Sequence, residues 1–166
     1  MKESIELKIN GQNVRVSVDG NQTLLEVLRE QLGLTGVKRG CDQGDCGSCT
    51  VLLDGQPVNS CLVLVSEAAG REITTIEGLS KDGRLHPLQQ AFVDYNAVQC
   101  GFCTPGMILT AVALLNENPH PAPREIRQYL RGNLCRCTSY NHKVHAIQAA
   151  ATRSSRQEEG LGVPPE

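Results

Sequence analysis

Eight cysteines are the residues best suited to chemistry in this chain of 166 residues. Four of them follow the spacing C-x4-C-x2-C…C, at Cys41, Cys46, Cys49 and Cys61. This is the plant-type pattern for a 2Fe-2S cluster, in which one loop aims several thiolates at the same point. Zinc sites more often use cysteine pairs on two separate knuckles, and disulfides are typical of secreted chains. The first four cysteines therefore predict an iron-sulfur site.

Glycines flank these cysteines at Gly40, Gly44 and Gly47. A loop that turns its backbone N-H groups toward sulfur needs backbone conformations, including positive φ, that a side chain obstructs. We expect N-H groups directed in this way to stabilise a reduced cluster.

The other four cysteines form two close pairs, C-x2-C at residues 100–103 and C-x-C at residues 135–137. Their spacing alone is ambiguous, because two separated pairs are also typical of a four-cysteine zinc site. Thr104-Pro105 follows the first pair and Thr138-Ser139 follows the second, and both are typical of helix starts. We therefore expect both pairs at helix N-termini, where the partial positive charge favours thiolates and bound anions.

The first half of the chain has the pattern of an α+β fold with a mixed sheet. Alternating residues 4–10 and 12–18 surround Asn10-Gly11, a dipeptide typical of a two-residue hairpin turn. Thr23 and Glu26 have the spacing of a capping box, which predicts a helix that ends at Gly33. Further short strands are predicted over residues 50–53, 58–65 and 72–76. The first cysteine loop thus lies between a helix and the returning strands.

The second half has the apolar spacing of helices. Its periodicity predicts four short helices, over residues 88–93, 107–115, 126–130 and 144–151. Residues 80–83 are polar and turn-prone, which indicates a boundary between two domains. We expect domains at residues 1–79 and 80–153. A flexible tail is expected at residues 154–166, which contain too few apolar side chains to pack.

Charge and composition exclude several classes of function. The net charge of -2, with both signs dispersed, offers no basic surface for nucleic acid or an anionic membrane. No apolar run is long enough for a membrane span, and the first residues lack the apolar segment of a secretion signal. We therefore expect a cytoplasmic protein. No phosphate-binding loop, catalytic triad or carboxylate pair is evident, so we expect no catalytic residue in this chain.

Three segments around the cysteines resemble the small subunits of the xanthine oxidase family, the molybdenum hydroxylases. They are GCDQGDCGSCT from residue 40, QCGFCTPG from residue 99 and GNLCRCT from residue 132. The resemblance extends over roughly residues 4–151 and includes all eight cysteines. It implies a ferredoxin-like β-grasp domain followed by an all-α four-helix iron-sulfur domain.

The resemblance also implies roles for individual residues. It assigns the cysteines to two 2Fe-2S clusters, the first held by Cys41, Cys46, Cys49 and Cys61 and the second by Cys100, Cys103, Cys135 and Cys137. The second cluster is expected nearer to molybdenum. Gln99 matches the family glutamine that hydrogen-bonds the molybdenum pterin cofactor. Outside this motif, a glutamine is more often an ordinary exposed side chain.

The family also implies a function and partners. The chain would be the electron-transfer subunit of a molybdenum-dependent oxidoreductase. It would relay electrons from the molybdenum pterin cofactor in a large subunit, through both clusters, to FAD in a medium subunit. A dimer of such heterotrimers is expected, and the large subunit would select the substrate. Two alternatives remain on the residues alone, a freestanding ferredoxin-like carrier and a zinc-binding interaction module.

In the second half of the chain, one residue departs from the family pattern and several others are weaker candidates for a functional site. Ser139 stands where the family has a glycine. We expect this difference to affect the local backbone or a partner contact rather than cluster binding. His142 and His145 lack the further ligands of a metal site, so we expect surface histidines. Arg136, between two cysteines, either raises the cluster potential or points to solvent. The helical spacing around Met107 predicts a core position.

Overall fold

A five-stranded mixed sheet forms the first half of the chain. The computed structural model describes residues 2–137 and 140–159. The strands are β1 Lys2–Ile9, β2 Gln12–Asp19, β3 Thr50–Leu53, β4 Gln56–Asn59 and β5 Glu72–Thr74. They lie in the order β2-β1-β5-β3-β4, with β1 parallel to β5 and the other neighbouring pairs antiparallel. The predicted hairpin of β1 and β2 is confirmed, with Asn10 and Gly11 at positive φ in its turn.

A short helix covers this sheet. It begins as α1 (Leu24–Glu26) and continues as a π-helical turn over Val27–Gln31. The predicted capping box is confirmed, because the Glu26 N-H donates to the Thr23 hydroxyl and the Thr23 N-H donates to the Glu26 carboxylate. Apolar residues of this helix are buried against those of the strands, at Leu24, Leu25, Val27 and Leu28.

The strand predicted over residues 58–65 is wrong beyond Asn59, where β4 ends. Ser60–Leu62 instead forms a 3-10 turn. The chain turns because Ser60 donates twice to the Cys49 carbonyl, from its N-H at 3.3 Å and from its hydroxyl at 2.7 Å. These bonds hold Cys61 near Cys49. The apolar run that resembled a strand therefore positions a cysteine.

Four α-helices follow in the second half of the chain. They are α2 Pro87–Asp94, α3 Thr104–Glu117, α4 Pro123–Tyr129 and α5 Tyr140–Glu159. Helices α2, α3 and α5 each contain one predicted helical segment, and the segment predicted over residues 126–130 runs one residue past the end of α4. The four-helix prediction is confirmed only in part, because α1 brings the α-helices of the described residues to five. Met107 is fully buried in the core of this half, as predicted.

The two halves pack through β3 and α3. Successive residues of a strand point to opposite faces, so Val51 and Leu53 enter the core of the first half while Leu52 faces α3. There Leu52 contacts Leu109 and Ala113. Strand β3 is therefore buried on both faces, and its packing fixes the first half of the chain against α3.

The end of the chain differs from the expected organisation. Helix α5 extends to Glu159, past residue 153 where we expected the helical domain to end. The predicted tail beyond Glu159 and the predicted cap at Thr138-Ser139 lie outside the described residues. Among the helices that are described, none is both long and apolar enough to cross a membrane.

Candidate metal centres

The first four cysteines meet at one end of the β3–β4 hairpin. Its register pairs Thr50 with Asn59, so Cys49 and Cys61 flank the same end. The loop before β3 is tied to this end, because the Asn59 side-chain amide donates to the Gly44 carbonyl at 2.9 Å. The sheet thereby brings the loop cysteines and the distant Cys61 to one place.

Hydrogen-bond donors point at the loop sulfurs. The Cys46 N-H donates to Cys41 Sγ at 3.4 Å. The N-H groups of Gln43 and Cys46 lower the pKa of Cys41 to about 7, because hydrogen bonds to a thiolate favour the charged form. The Ser48 hydroxyl lies 3.0 Å from Cys46 Sγ and must be the donor when that sulfur is a thiolate. The expected donors to sulfur are therefore present.

Cys61 has the opposite environment. Burial raises the pKa of Cys61 to about 12, and the neighbouring sulfurs of Cys49 and Cys41 add to the rise. A thiolate here is unfavourable unless a bound cation compensates its charge. The pKa of Cys61 therefore responds to both Cys49 and Cys41, which places the three side chains in one neighbourhood.

Two glycines of this loop are required by close packing. A Cβ at Gly40 would lie 2.7 Å from Cys46 Sγ. Gly47 has a φ of +66°, and a Cβ there would collide with the Gly132 carbonyl of the second half. A side chain at Gly40 would displace the Cys46 sulfur, and one at Gly47 would push the loop away from the second half of the chain.

The second four cysteines lie at two helix starts. Helix α3 begins at Thr104, so Cys103 is its N-cap, one residue before the predicted cap. Cys135 and Cys137 precede α5, which begins at Tyr140. The Tyr140 hydroxyl accepts from the Cys135 N-H at 3.1 Å and donates to the Asn133 carbonyl at 2.7 Å. This tyrosine holds the second cysteine pair against the start of α5.

The four sulfurs of this set also influence one another. The Phe102 N-H and the Cys137 thiol lower the pKa of Cys100, and in turn Cys100 raises the pKa of Cys137. Burial raises the pKa of Cys103 to about 11; Cys135 adds to the rise and the Lys143 ammonium opposes it. A surface pocket of about 420 Å³ is lined by these four cysteines with Phe102, Leu134 and Arg136.

The two sites are joined by direct hydrogen bonds. The Leu134 N-H donates to the Cys46 carbonyl at 2.9 Å. The buried Asn133 amide donates to the Gly47 carbonyl at 3.0 Å and to the Thr50 hydroxyl at 3.2 Å. We call these contacts, together with Gly106 on α3, the inter-site clamp. A Cβ at Gly106 would collide with the Gly47 carbonyl, so the clamp leaves no room for a methyl group.

The donor set fits clusters better than single ions. None of the eight cysteines, all of which lie in the described part of the chain, forms a disulfide. In that part, no three His, Cys, Asp or Glu side chains meet closely enough to hold one metal ion. Four thiolates around two irons are the ligand set of a 2Fe-2S cluster. Two sets of four neighbouring cysteines therefore suit two such clusters.

Comparison with known proteins agrees with this chemistry. Residues 7–78 match the family model of a 2Fe-2S iron-sulfur cluster binding domain, and residues 75–148 match that of a 2Fe-2S binding domain. The nicotinate dehydrogenase small FeS subunit of Eubacterium barkeri is 50% identical over 145 residues, which cover 87% of this chain and 92% of the relative.

The chain belongs to the molybdenum hydroxylase family. It is one of the family's small iron-sulfur subunits, an electron-transfer component of an oxidoreductase with two 2Fe-2S clusters. A chain in the crystal structure of quinoline 2-oxidoreductase from Pseudomonas putida 86 has a TM-score of 0.90 and 47% identity, covering 95% of this chain and 98% of that one. The family resemblance and the electron-transfer prediction are thus confirmed. The free-carrier and zinc-module alternatives are not favoured.

Some relatives carry this subunit inside a longer polypeptide. The aldehyde oxidoreductase from Desulfovibrio desulfuricans ATCC 27774 has a TM-score of 0.90 and 43% identity, over 98% of this chain but only 19% of that one. The molybdenum hydroxylase subunit described here therefore has the same fold as part of a larger enzyme chain.

The remaining predicted residues of the subunit lie at its surface. Gln99 is exposed and directly precedes Cys100. Arg136 is also exposed, beside the second set. His142 and His145 are exposed on α5, and His142 Nδ1 lies 3.3 Å from the Asn96 carbonyl. The histidines are therefore surface residues, as expected.

Two buried polar residues near the sites were not singled out from the sequence. Asn133 was noted only as part of a motif, and its clamp role depends on a partner loop far away in the sequence. Lys143 is fully buried near the second set. A signal for Lys143 was present, because the helical period places it on the same face as the core residues Ile147 and Ala150.

Proposed function

We propose that this subunit passes electrons singly from a molybdenum-bearing large subunit to a flavin-bearing medium subunit. The observation that carries the proposal is the pair of four-cysteine sites, the first at one end of the β3–β4 hairpin and the second around one surface pocket, joined by the inter-site clamp. A bound 2Fe-2S cluster accepts and releases one electron at a time. Substrate oxidation releases two electrons, so two sites in series suit transfer to a flavin.

We assign the ligands by site. The first cluster is held by Cys41, Cys46, Cys49 and Cys61, and the second by Cys100, Cys103, Cys135 and Cys137. Backbone N-H groups at Cys41 and the Ser48 hydroxyl at Cys46 stabilise negative charge on sulfur. Cys61 is buried and Cys103 is half-buried, which limits the access of water to one side of each site.

The surface around each site supports electron transfer from the second cysteine set to the first. The second set is bordered by exposed Gln99, Phe102 and Leu134, a polar group beside two apolar ones. We assign this face to the large subunit, with the Gln99 amide hydrogen-bonding the molybdenum pterin cofactor. The first set is bordered by Leu62, whose side chain is 62% exposed and lies over Gly44. We assign that face to the medium subunit.

The architecture supports a finer assignment. The sheet order, with a parallel β1–β5 pair between two antiparallel hairpin arms, fits a β-grasp domain over residues 1–79. The four helices α2–α5 favour a helical cluster-binding domain over residues 80–153, and we assign residues 154–166, which begin inside α5, to a tail. We expect the complex to be a dimer of heterotrimers. Eight thiols outside disulfides favour a reducing compartment, so we place it in the cytoplasm.

Iron analysis and a substitution at Gln99 test the function. The purified complex should contain about four iron atoms per copy of this chain. Gln99→Ala should leave both cluster signals intact while slowing reduction of the clusters by substrate or weakening binding of the large subunit. Gln90→Ala removes another exposed glutamine, on α2, and should change neither. A Q99A complex with wild-type assembly and reduction rates would remove the role of Gln99, and a colourless, iron-free protein would refute the relay.

A further inference from the structure

Lys143 is a lysine that does not reach solvent. It lies in the first turn of α5, and its relative exposure is 0%. Lysine side chains normally bury their methylene groups while the ammonium extends into water. Complete burial therefore places a positive charge inside the helical half, where an unopposed charge is very costly. A negative group nearby would stabilise a charge at such a position.

The surroundings of Lys143 connect it to the second cysteine set. Its ammonium lies 5.4 Å from the centre of the Tyr140 ring, within the range of a cation-π contact. The hydroxyl of the same tyrosine accepts from the Cys135 N-H. The ammonium also acts electrostatically on Cys103, where it favours the thiolate. Lys143 is thus linked to Cys135 through the Tyr140 ring, and its charge acts on Cys103.

The position of Lys143 in its helix supports a partner outside the helix. A cation in the first turn is repelled by the positive end of the helix macrodipole. Its neighbours on the same face, Ile147 and Ala150, are core residues. An apolar side chain would satisfy both the helix and the core, so packing alone does not explain a lysine here. An anion in front of the helix start would favour a lysine at this position.

We propose that the Lys143 ammonium is the fixed counter-charge of the second cysteine set and raises the reduction potential of the 2Fe-2S cluster held there. The inference rests on the proposed function, because it requires a cluster on these four cysteines. Reduction adds one electron, and so one negative charge, to a four-thiolate cluster. A fixed positive charge in a medium of low dielectric constant therefore stabilises the reduced form more than the oxidised form. Lys143 is a positioning charge and not a ligand.

Redox titration of the purified complex, followed by EPR, tests the proposal. Lys143→Met removes the charge at similar side-chain length, and Lys143→Gln removes it while keeping a hydrogen-bonding end. In both variants we expect the equilibrium constant for one-electron reduction of the second cluster to fall about tenfold. This corresponds to a reduction potential lower by about 59 mV. The potential of the first cluster should not change. Variants that lack one cluster, such as C49S and C135S, assign the two signals.

Arg136→Gln is the matched control. It removes one positive charge beside the same set, but from an exposed side chain that water and salt already screen. We expect a clearly smaller shift than in K143M. An equal shift in R136Q would contradict the role of burial, and wild-type potentials in K143M and K143Q would overturn the proposal. A shift in K143M without one in K143Q would also overturn it, because a hydrogen bond rather than charge would then be responsible.

Cluster loss provides a second readout. If the neutral variants lose the second signal while Lys143→Arg keeps it, the counter-charge is supported. If K143R loses it as well, side-chain shape rather than charge is what the site requires, and the proposal fails. Failure of the proposed function looks different, since the wild-type complex would then show no second cluster signal at all.

Discussion

Each cysteine set combines thiols of opposite character. Cys41 and Cys100 accept hydrogen bonds from backbone N-H groups, which lower the pKa of each thiol. Cys61 and Cys103 are desolvated, which raises the pKa of each to about 12 and about 11. We expect the first kind to capture iron as thiolates and the second kind to bind only once metal charge compensates burial.

This contrast predicts an order of thiol reactivity in the iron-free subunit. A lowered pKa means that Cys41 becomes a thiolate as pH rises through about 7, whereas Cys61 stays a thiol until about pH 12. Alkylation by iodoacetamide between about pH 6 and pH 9 should therefore modify Cys41 before Cys61, because only the thiolate reacts. Mass spectrometry of the peptides measures the order. The rates should converge in guanidinium chloride, and faster modification of Cys61 in the folded subunit would contradict the prediction.

Single cysteine substitutions should remove one cluster at a time. Cys49→Ser replaces a buried member of the first set, and Cys135→Ser replaces a member of the second. Each should lower the iron content from about four to about two atoms per chain. EPR should then show that the two variants have lost different signals. Each variant is the control for the other, and loss of the same signal from both would refute the division into two sets.

At the scale of elements, the inter-site clamp fixes the start of α3 against the first cysteine loop. The Gly47 carbonyl accepts from the Asn133 amide, and Gly106 on α3 lies directly against it. Both cysteine sites share this contact. The spacing between the sites is therefore set by backbone packing and not by a flexible linker.

A methyl group at Gly106 should disturb this packing. Gly106→Ala places a Cβ against the Gly47 carbonyl, so the helix or the loop must move. We expect a loss of about 1 to 3 kcal/mol in the free energy of unfolding, as for other overpacked sites. Gly20→Ala is the control, because a Cβ there meets nothing within 4 Å. Denaturant unfolding compares the two, and equal stability of G106A and G20A would show that the clamp is not tightly packed.

At the scale of the whole molecule, each cysteine set is bordered by a large exposed apolar side chain. Leu62 covers the first set and is 62% exposed, while Leu134 borders the second and is 56% exposed. Large exposed apolar side chains beside a redox site are suited to partner contacts that exclude water. A relay needs two such faces, one for the donor and one for the acceptor.

Charged substitutions on the two faces should affect different partners. Leu134→Asp should reduce co-purification of the molybdenum subunit, because it places a carboxylate in a contact that excludes water. Leu62→Asp should instead reduce co-purification of the flavin subunit. Subunit ratios from tagged complexes measure both effects, and iron content confirms that each variant is folded. Loss of the same partner from both variants, or of neither, would contradict the assignment of faces.

Local patterns in the sequence were sufficient for much of the fold and the chemistry. The hairpin at Asn10-Gly11 and the capping box at Thr23 follow from residues close in the chain, and both are present. The four helices of the second half follow from apolar spacing. The strand prediction over residues 58–65 was wrong beyond Asn59, because the apolar residues there have the local pattern of a strand. Its end is decided by Ser60 bonding to the Cys49 carbonyl, a partner in a different segment.

The sequence by itself determined the family and the two groups of cysteines predicted to do the chemistry, because cysteine spacing and flanking motifs are local properties of the chain. Only the tertiary structure decided how the two sites are joined and charged. Asn133 meets Gly47 across 86 positions of sequence, and Lys143 is buried against a set whose first pair lies far upstream. Contacts of this kind depend on how β3, α3 and α5 pack together. Hydrophobic burial sets that packing, and no local pattern specifies it.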